Sequence, residues 1–180
     1  MGENEAYTFI EGENIDLIPI NPENIDLYAK WINDPKVRKY SRNVLPLTLE
    51  EVKKRWFEPQ EHRGGRDTIA FEIWHKKDKK TIGVVGLNHI NWFSRWANSF
   101  AQIGETSYWS QNIVTEATHL LLKYAFNELD LNKLSAGIAV HNIGSWKVAE
   151  KVGFSFEGIS KSEFYVDGEY VDVKVYYYFK

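Results

Sequence analysis

The second half of this 180-residue chain alternates strand-like and helix-like segments, and this alternation restricts the fold more than any other feature. A strand ending near Thr106 precedes an amphipathic helix from Glu116 to about Leu129, and an apolar strand, 134–140, follows it. A helix that connects two neighbouring strands is typical of a parallel pair. The sequence therefore predicts an α/β (α+β) fold with a parallel pair in its second half.

The remaining segments predict antiparallel strands and further helices around this unit. A proline after Asn21 and a capping box at 48–51 indicate two helices in the first half. A last helix is predicted from about Ile143 to a C-cap glycine, Gly153. The predicted strands are 15–20, 69–74, 81–87, 99–106, 134–140, 156–166 and 170–179. No linker or repeat interrupts the pattern, so residues 1–180 are predicted to form a single domain.

Composition excludes several kinds of function. The net charge of −3 argues against nucleic acid as a partner, because phosphate backbones require a basic excess. The chain has no cysteine, so it has neither disulfides nor a thiol nucleophile. Its five histidines lack a metal-binding spacing, and we expect no metal site. Without a signal peptide or a membrane-length apolar run, we expect a cytoplasmic protein with no membrane partner.

A series of short motifs resembles a known family. The motifs are Tyr108-Trp109 with Thr115-Glu116-Ala117, then Asn142-x-x-Ser145, then Glu150-Lys151-x-Gly153-Phe154. Their order and spacing are similar to those of the GNAT superfamily of acetyl-CoA-dependent N-acetyltransferases, and most of all to the branch that acetylates N-terminal amines of ribosomal proteins. The resemblance implies the GNAT fold, which is a mixed six- to seven-stranded sheet with helices on both faces. It also implies a gap between the fourth and fifth strands that the thioester fills.

The resemblance places the diphosphate of acetyl-CoA on backbone N–H groups at the start of the long helix. The family has a Gly-x-Gly loop there, whereas this chain has Ser110-Gln111-Asn112, and Val114 replaces a small residue. Asparagine tolerates the left-handed conformation better than other non-glycine residues, so Asn112 could keep the loop functional. The alternative is an ordinary helix start capped by Asn112 or Ser110. The expected cofactor-binding residues are Thr106, Ser107, Ser110, Gln111, Asn112, Ile113, Val114, Thr115, Asn142 and Ser145.

The same resemblance suggests catalytic roles. Asn142 would hold the pantetheine arm and Ser145 would protonate the departing thiolate, although both residues also suit simple N-capping. Strand amides after Gln102 would polarise the thioester carbonyl. Glu105, at the end of the strand, is expected to be the general base, provided that its surroundings raise its pKa. The alternative is that Glu105 is simply a solvent-exposed charge on the strand.

Four residues are expected to contact the acceptor amine: Trp31, Tyr40, Trp92 and Glu163. The acceptor groove would be built from the first two helices and the loop 92–96, although single aromatic residues more often belong to a core. In the resembled branch a glutamate of the closing hairpin is the base. Spacing puts Phe164 at that position and Glu163 one residue earlier, and one step along a strand reverses the side-chain direction.

These observations predict an enzyme that transfers the acetyl group of acetyl-CoA to a primary amine by direct attack in a ternary complex. The acceptor is expected to be the N-terminal amine of a protein or peptide, and a small amine such as a polyamine is the alternative within this class. A second alternative is a GNAT-fold binding or regulatory protein that has lost catalysis, as the altered loop and Phe164 would suggest. Family analogy also suggests a homodimer through the sheet edge or the closing hairpin.

Overall fold

The computed structural model describes residues 7–41, 45–58, 61–62 and 65–180. The strands are β1 (Ile10–Glu11), β2 (Ile15–Pro19), β3 (Glu61–His62), β4 (Gly65–Arg66), β5 (Ile69–His75), β6 (Lys80–Asn91), β7 (Trp96–Ile103), β8 (Lys133–Ala139), β9 (Ser155–Val166) and β10 (Glu169–Phe179). The helices are α1 (Ile25–Asn33), α2 (Pro35–Arg38), α3 (Leu49–Phe57), α4 (Ile113–Asn127) and α5 (Ile143–Val152). Eight strands form one mixed sheet in the order β1-β2-β5-β6-β7-β8-β10-β9.

This architecture confirms the predicted fold class and adds three short strands to the predicted seven. β1 pairs with β2 at the sheet edge, and β3 pairs with β4 as a separate two-stranded sheet. Each of these strands is two residues long. Alternation of apolar and polar residues cannot be detected over two residues, which is why the sequence did not reveal them.

Helices cover both faces of the sheet. α1 and α3 pack on one face in a cluster that includes Tyr28, Trp31, Val52 and the β6 residue Val84. α4 and α5 pack together on the other face, over the larger core. The buried carboxylate of Glu72 on β5 fixes α1 to the sheet, because it accepts hydrogen bonds from donors before and within α1 and from one donor on β6. These are the Asn21 amide, Asn24 Nδ2 and the hydroxyls of Tyr28 and Thr81.

The sheet opens between the two parallel strands β7 and β8, as predicted. Their pairing is confined to three positions, from Trp96↔Lys133 to Asn98↔Ser135, although both strands continue beyond them. At the closed end of the gap the Ser99 hydroxyl donates to the Ser135 carbonyl at 3.2 Å. The open gap therefore lies toward the carboxyl ends of β7 and β8, the ends that lead into α4 and α5.

Within the described ranges, no helix has the length and apolar character needed to cross a membrane.

Candidate active site

The backbone of β7 presents only alternate residues to the gap. The amides of Gly104 and Glu105 both donate to the carbonyl of Ile82 on β6, at 3.0 and 3.1 Å. Within the β6–β7 ladder that precedes Gly104, residues whose backbone groups bond to β6 alternate with residues whose groups point away from β6. Ile103 and Ala101 therefore face the gap. Strand amides after Gln102 were expected to polarise the thioester carbonyl. Of these, the amides of Gly104 and Glu105 are engaged by β6, so only that of Ile103 is directed to the gap.

The loop before α4 adopts glycine-like backbone conformations without glycine. Asn112 has φ 60° and ψ 4°, which is the left-handed region, and this confirms the expectation for this residue. Ser110 has φ 63°, so the second position normally occupied by glycine is also left-handed. The backbone path that glycine usually provides is thus retained with two polar side chains.

The start of α4 leaves backbone donors unused by the helix. Its first hydrogen bond runs from the Glu116 amide to the Asn112 carbonyl, so the amides of Ile113, Val114 and Thr115 precede the ladder. The Ile113 side chain is 5% exposed and packs in the core, away from the loop. The Thr115 hydroxyl is buried and has no hydrogen-bond partner. The three free amides form a positive, donor-rich helix end that suits an anion.

The alternative of a simply capped helix does not describe α4. The Asn112 side chain makes no hydrogen bond to the first turn of its own helix. Its Oδ1 instead accepts from Nζ of Lys151 at 2.9 Å. The loop amides therefore stay uncapped, and a cationic side chain from α5 reaches the loop.

The segment that joins β7 to α4 is held by its own side chains. Thr106 and Ser107 are exposed and begin a 3₁₀ turn, and the Ser107 carbonyl accepts from Gln111 Nε2 at 2.8 Å. Trp109 Nε1 donates to the Ile103 carbonyl at 3.0 Å. The Tyr108 hydroxyl bonds to Asp78 in the tip of the β5–β6 hairpin. Together these contacts fix the direction in which α4 starts.

α5 begins at the end of β8, on the other side of the gap. Asn142 is its N-cap, and its Oδ1 accepts from the Ser145 amide at 3.4 Å. Ser145 occupies the third helical position and is exposed. The cap uses Oδ1 of Asn142 alone, so the capping role of Asn142 is compatible with its side-chain NH₂ binding a ligand in the gap.

The surroundings of Glu105 oppose its expected role as a base. Its Oε1 accepts from Lys30 Nζ at 2.8 Å and from Trp31 Nε1 at 2.9 Å. The Lys30 hydrogen bond, followed by that of Trp31, lowers the pKa of the Glu105 carboxyl below its usual value. A carboxylate with a lowered pKa is a weaker proton acceptor, so the condition on which the expected role depended is not met.

The four expected acceptor residues do not lie together. Trp31 is 2% exposed and its ring packs under Gly104 in the core. Trp92 lies at the end of the sheet opposite the open gap. Its neighbour Asn91 pairs with Trp96 at the start of β7, whereas the gap opens at the end of β7. Its indole donates to the Arg66 carbonyl at 3.0 Å.

The other two expected residues lie near the closing hairpin. Tyr40 is half-buried and packs in a cluster with Ala139, Phe164, Val171 and Val173, at the carboxyl end of β8. Glu163 is exposed outside this cluster and accepts from the Ser160 hydroxyl at 3.0 Å. Tyr40 and Phe164, rather than Glu163, therefore belong to the cluster that includes Ala139 at the end of β8.

Sequence reasoning missed two lysines that contact the site. Lys30 binds Glu105, and Lys151 binds Asn112. Lys151 belongs to the Glu150-Lys151-x-Gly153-Phe154 motif, but no spacing in the sequence relates position 151 to position 112. Only the packing of α5 beside α4 brings them together.

Comparisons with known proteins agree with this geometry. The model of the "Acetyltransferase (GNAT) domain" family matches residues 14–155. The chain is 36% identical over 131 residues to the probable N-acetyltransferase YjcK of Bacillus subtilis, covering 71% of each chain. It is 27% identical over 179 residues to the putative ribosomal N-acetyltransferase YdaF of the same organism, covering 95% of this chain and 93% of YdaF.

A solved structure has the same fold. It is spermidine N-acetyltransferase from Vibrio cholerae in complex with CoA and spermine, with a TM-score of 0.82 and 23% sequence identity. The superposition covers 92% of this chain and 95% of the other. With the family model spanning most of the sequence and the gap, loop and paired helices in place, the chain belongs to the GNAT acetyltransferase family, which confirms the predicted class of N-acetyltransferase and acetyl-CoA as its co-substrate.

Proposed function

We propose that this chain acetylates the N-terminal α-amine of a peptide or protein by direct attack on acetyl-CoA in a ternary complex. The observation that carries the proposal is the engagement of Glu105 by Lys30 and Trp31, which lowers its pKa and makes it a poor base. An acceptor that is already partly neutral at physiological pH needs little help with deprotonation. An α-amine has a pKa of ~7.7–8.0, whereas an alkyl amine such as that of lysine has a pKa of ~10.4.

Each part of the gap has a role in this proposal. The first-turn amides of α4 bind the diphosphate, and the Ile103 amide polarises the thioester carbonyl. The amine nitrogen forms a bond to the acetyl carbon while the carbon–sulfur bond breaks, and water accepts the proton that the amine loses. The Ser145 hydroxyl donates its proton to the departing thiolate and regains one from solvent.

Three carboxylates, on the closing hairpin and after β7, are already paired with lysines, and this favours an acceptor with a single amine over a polycation. Asp167 pairs with Lys39 at 2.7 Å, and Asp172 pairs with Lys161 at 2.7 Å. Glu105 is likewise paired with Lys30. A polycation binds best to carboxylates that have no such partner, because an existing lysine must otherwise be displaced.

A polyamine is the second candidate acceptor. It is supported by the similarity in fold to the V. cholerae enzyme crystallised with spermine.

We further propose a cytoplasmic homodimer that pairs through the outer edge of β9, because β9 ends the sheet and exposes Phe156, Ile159 and Tyr165. Sedimentation analysis would contradict this assembly if the protein remained a monomer at micromolar concentration.

The acceptor is tested by measuring thiol release from acetyl-CoA with a panel of peptides of varied N-terminal residue and with spermidine. We expect turnover with peptides to rise with pH through the α-amine pKa of ~7.7–8.0 and to level off about one pH unit above it. Glu105→Gln should keep the same apparent pKa, since the amine rather than the carboxylate titrates. Loss of this pH-dependent limb in Glu105→Gln would identify Glu105 as the base. Faster turnover of spermidine than of every peptide would establish the second candidate.

A further inference from the structure

We propose that Lys151 binds the diphosphate of acetyl-CoA and that its contact with Asn112 keeps the start of α4 open for that ligand. The proposal depends on the use of acetyl-CoA described above and adds a cofactor-binding residue that the family motifs did not identify. Its basis is a contact between two helices, in which Nζ of Lys151 in the last turn of α5 lies 2.9 Å from Oδ1 of Asn112.

The first step of the argument is the conformation of Asn112. An N-cap asparagine normally turns its side chain back to accept from an amide of the first turn, which removes a donor from any ligand. Asn142 does this at the start of α5. Asn112 has a left-handed backbone and no such bond. The Lys151 ammonium instead donates to Oδ1 of the Asn112 side chain, and the amides of Ile113, Val114 and Thr115 remain available.

The second step is the position of the positive charge. The ammonium of Lys151 is within hydrogen-bond distance of the residue that immediately precedes these amides. The Lys151 side chain is exposed, so an anion can reach it from solvent. Charge at this point adds to the positive end of the helix dipole.

The third step concerns the missing glycines. A Gly-x-Gly loop binds phosphate by letting its backbone approach closely. The side chains of Ser110 and Asn112 restrict that approach, even though both residues have positive φ. A lysine reaching the same anion from a neighbouring helix supplies attraction that does not depend on close backbone contact. We therefore assign to Lys151 part of the binding that glycine amides provide elsewhere.

The test is calorimetric titration of wild-type protein and Lys151→Met with CoA and with 3′-dephospho-CoA. Methionine keeps an unbranched chain and removes the charge. We expect Lys151→Met to bind both ligands about tenfold more weakly, since both retain the diphosphate. The KM for acetyl-pantetheine, which has no phosphate, should not change. The matched control is Lys147→Met on the same helix, where Nζ lies 6.0 Å from the Trp146 ring; it should bind CoA like the wild type.

Several outcomes would overturn the proposal. Equal losses for CoA and acetyl-pantetheine would mean that Lys151 only supports the fold. A loss confined to CoA would move the contact from the diphosphate to the 3′-phosphate. A loss that vanished in the Asn112→Gly background would show that Lys151 acts only by holding Asn112. If wild-type protein bound no CoA at all, the proposed function would fail, whereas normal wild-type binding with unchanged binding in Lys151→Met would refute this inference alone.

Discussion

α4 and α5 begin with the same kind of N-cap residue, but their first turns differ in hydrogen bonding. Each helix follows one of the two parallel strands that border the gap, and each has an asparagine N-cap. Asn142 has φ −84° and caps the Ser145 amide, whereas Asn112 has φ 60° and leaves its helix uncapped. An N-cap side chain engages one of the free first-turn amides, so a start without that bond leaves one more donor for an anion. The comparison shows that backbone torsion and a partner side chain decide this, since the capping residue is the same.

The segments that lead into the two helices also differ. After β8 the chain turns at once, with the Asn142 amide donating to the Ala139 carbonyl at 2.9 Å. After β7 it runs through Gly104, a 3₁₀ turn and the anchored side chains of Glu105 and Trp109 before α4 begins. The approach to α4 is therefore fixed by packing against α1 and the sheet, and the approach to α5 by local hydrogen bonds.

The largest expected effect comes from adding a methyl group at the approach to α4. A Cβ at Gly104 would lie 2.0 Å from the ring of Trp31, which is 2% exposed and cannot move without disturbing α1. We expect Gly104→Ala to lower the free energy of unfolding by about 3 kcal/mol. Urea denaturation followed by circular dichroism measures the change.

The matched variant is Gly144→Ala in the first turn of α5, where a Cβ would have no neighbour within 4 Å. It should leave the free energy of unfolding unchanged or raise it by up to about 1 kcal/mol, because alanine favours helix over glycine. Equal destabilisation by the two variants would mean that the approach to α4 is no more constrained than that to α5.

A second pair of variants places a negative charge at each N-cap. Asn112→Asp should weaken CoA binding about tenfold, because the carboxylate repels the diphosphate and neutralises Lys151. Asn142→Asp should keep or slightly raise the melting temperature, since aspartate is a good N-cap and its charge favours the helix dipole. Calorimetry and thermal unfolding give these two values. Unaltered CoA affinity in Asn112→Asp would place the diphosphate away from α4.

The smallest expected effect is at Ser110, where the left-handed backbone carries a side chain. Ser110→Gly removes the strain of φ 63° but adds freedom to the unfolded chain. We expect a net gain of about 0.5 kcal/mol in unfolding free energy and a modest increase in CoA affinity from closer backbone approach. Differential scanning calorimetry with and without CoA measures both. A lower melting temperature in the variant would indicate that the Ser110 side chain stabilises the loop.

Regular elements were predictable because their signals are local. The helix pattern of α4, the C-cap at Gly153 and the Asp167-Gly168 turn depend on residues within one or two turns of each other. The left-handed conformation of Asn112 was predictable for the same reason, because it reflects the residue's own preference. The two-residue strands β1, β3 and β4 are too short to produce a periodic signal.

The candidate site was less predictable, because its chemistry depends on contacts between distant residues. Glu105 was predicted at the end of a strand, whereas β7 ends at Ile103 and Glu105 precedes the 3₁₀ turn. Its hydrogen bonds to Lys30 and Trp31 come from α1. Trp92 was given to the acceptor groove because a sequence does not show which end of a strand lies at the gap. The strand register settles that point and puts Trp92 at the opposite end of the sheet.

The sequence by itself determined the order of elements, the GNAT family and the loop residues that replace glycine. Short-range torsional preferences and motif spacing are sufficient for these, since both are properties of neighbouring residues. Tertiary structure alone decided that Lys30 and Trp31 hold the Glu105 carboxylate, that the Asn112 side chain leaves α4 uncapped and that Lys151 contacts Asn112. A pKa and an open hydrogen-bond donor depend on which charges and acceptors lie within a few ångströms, and only the packed helices and sheet bring those groups together.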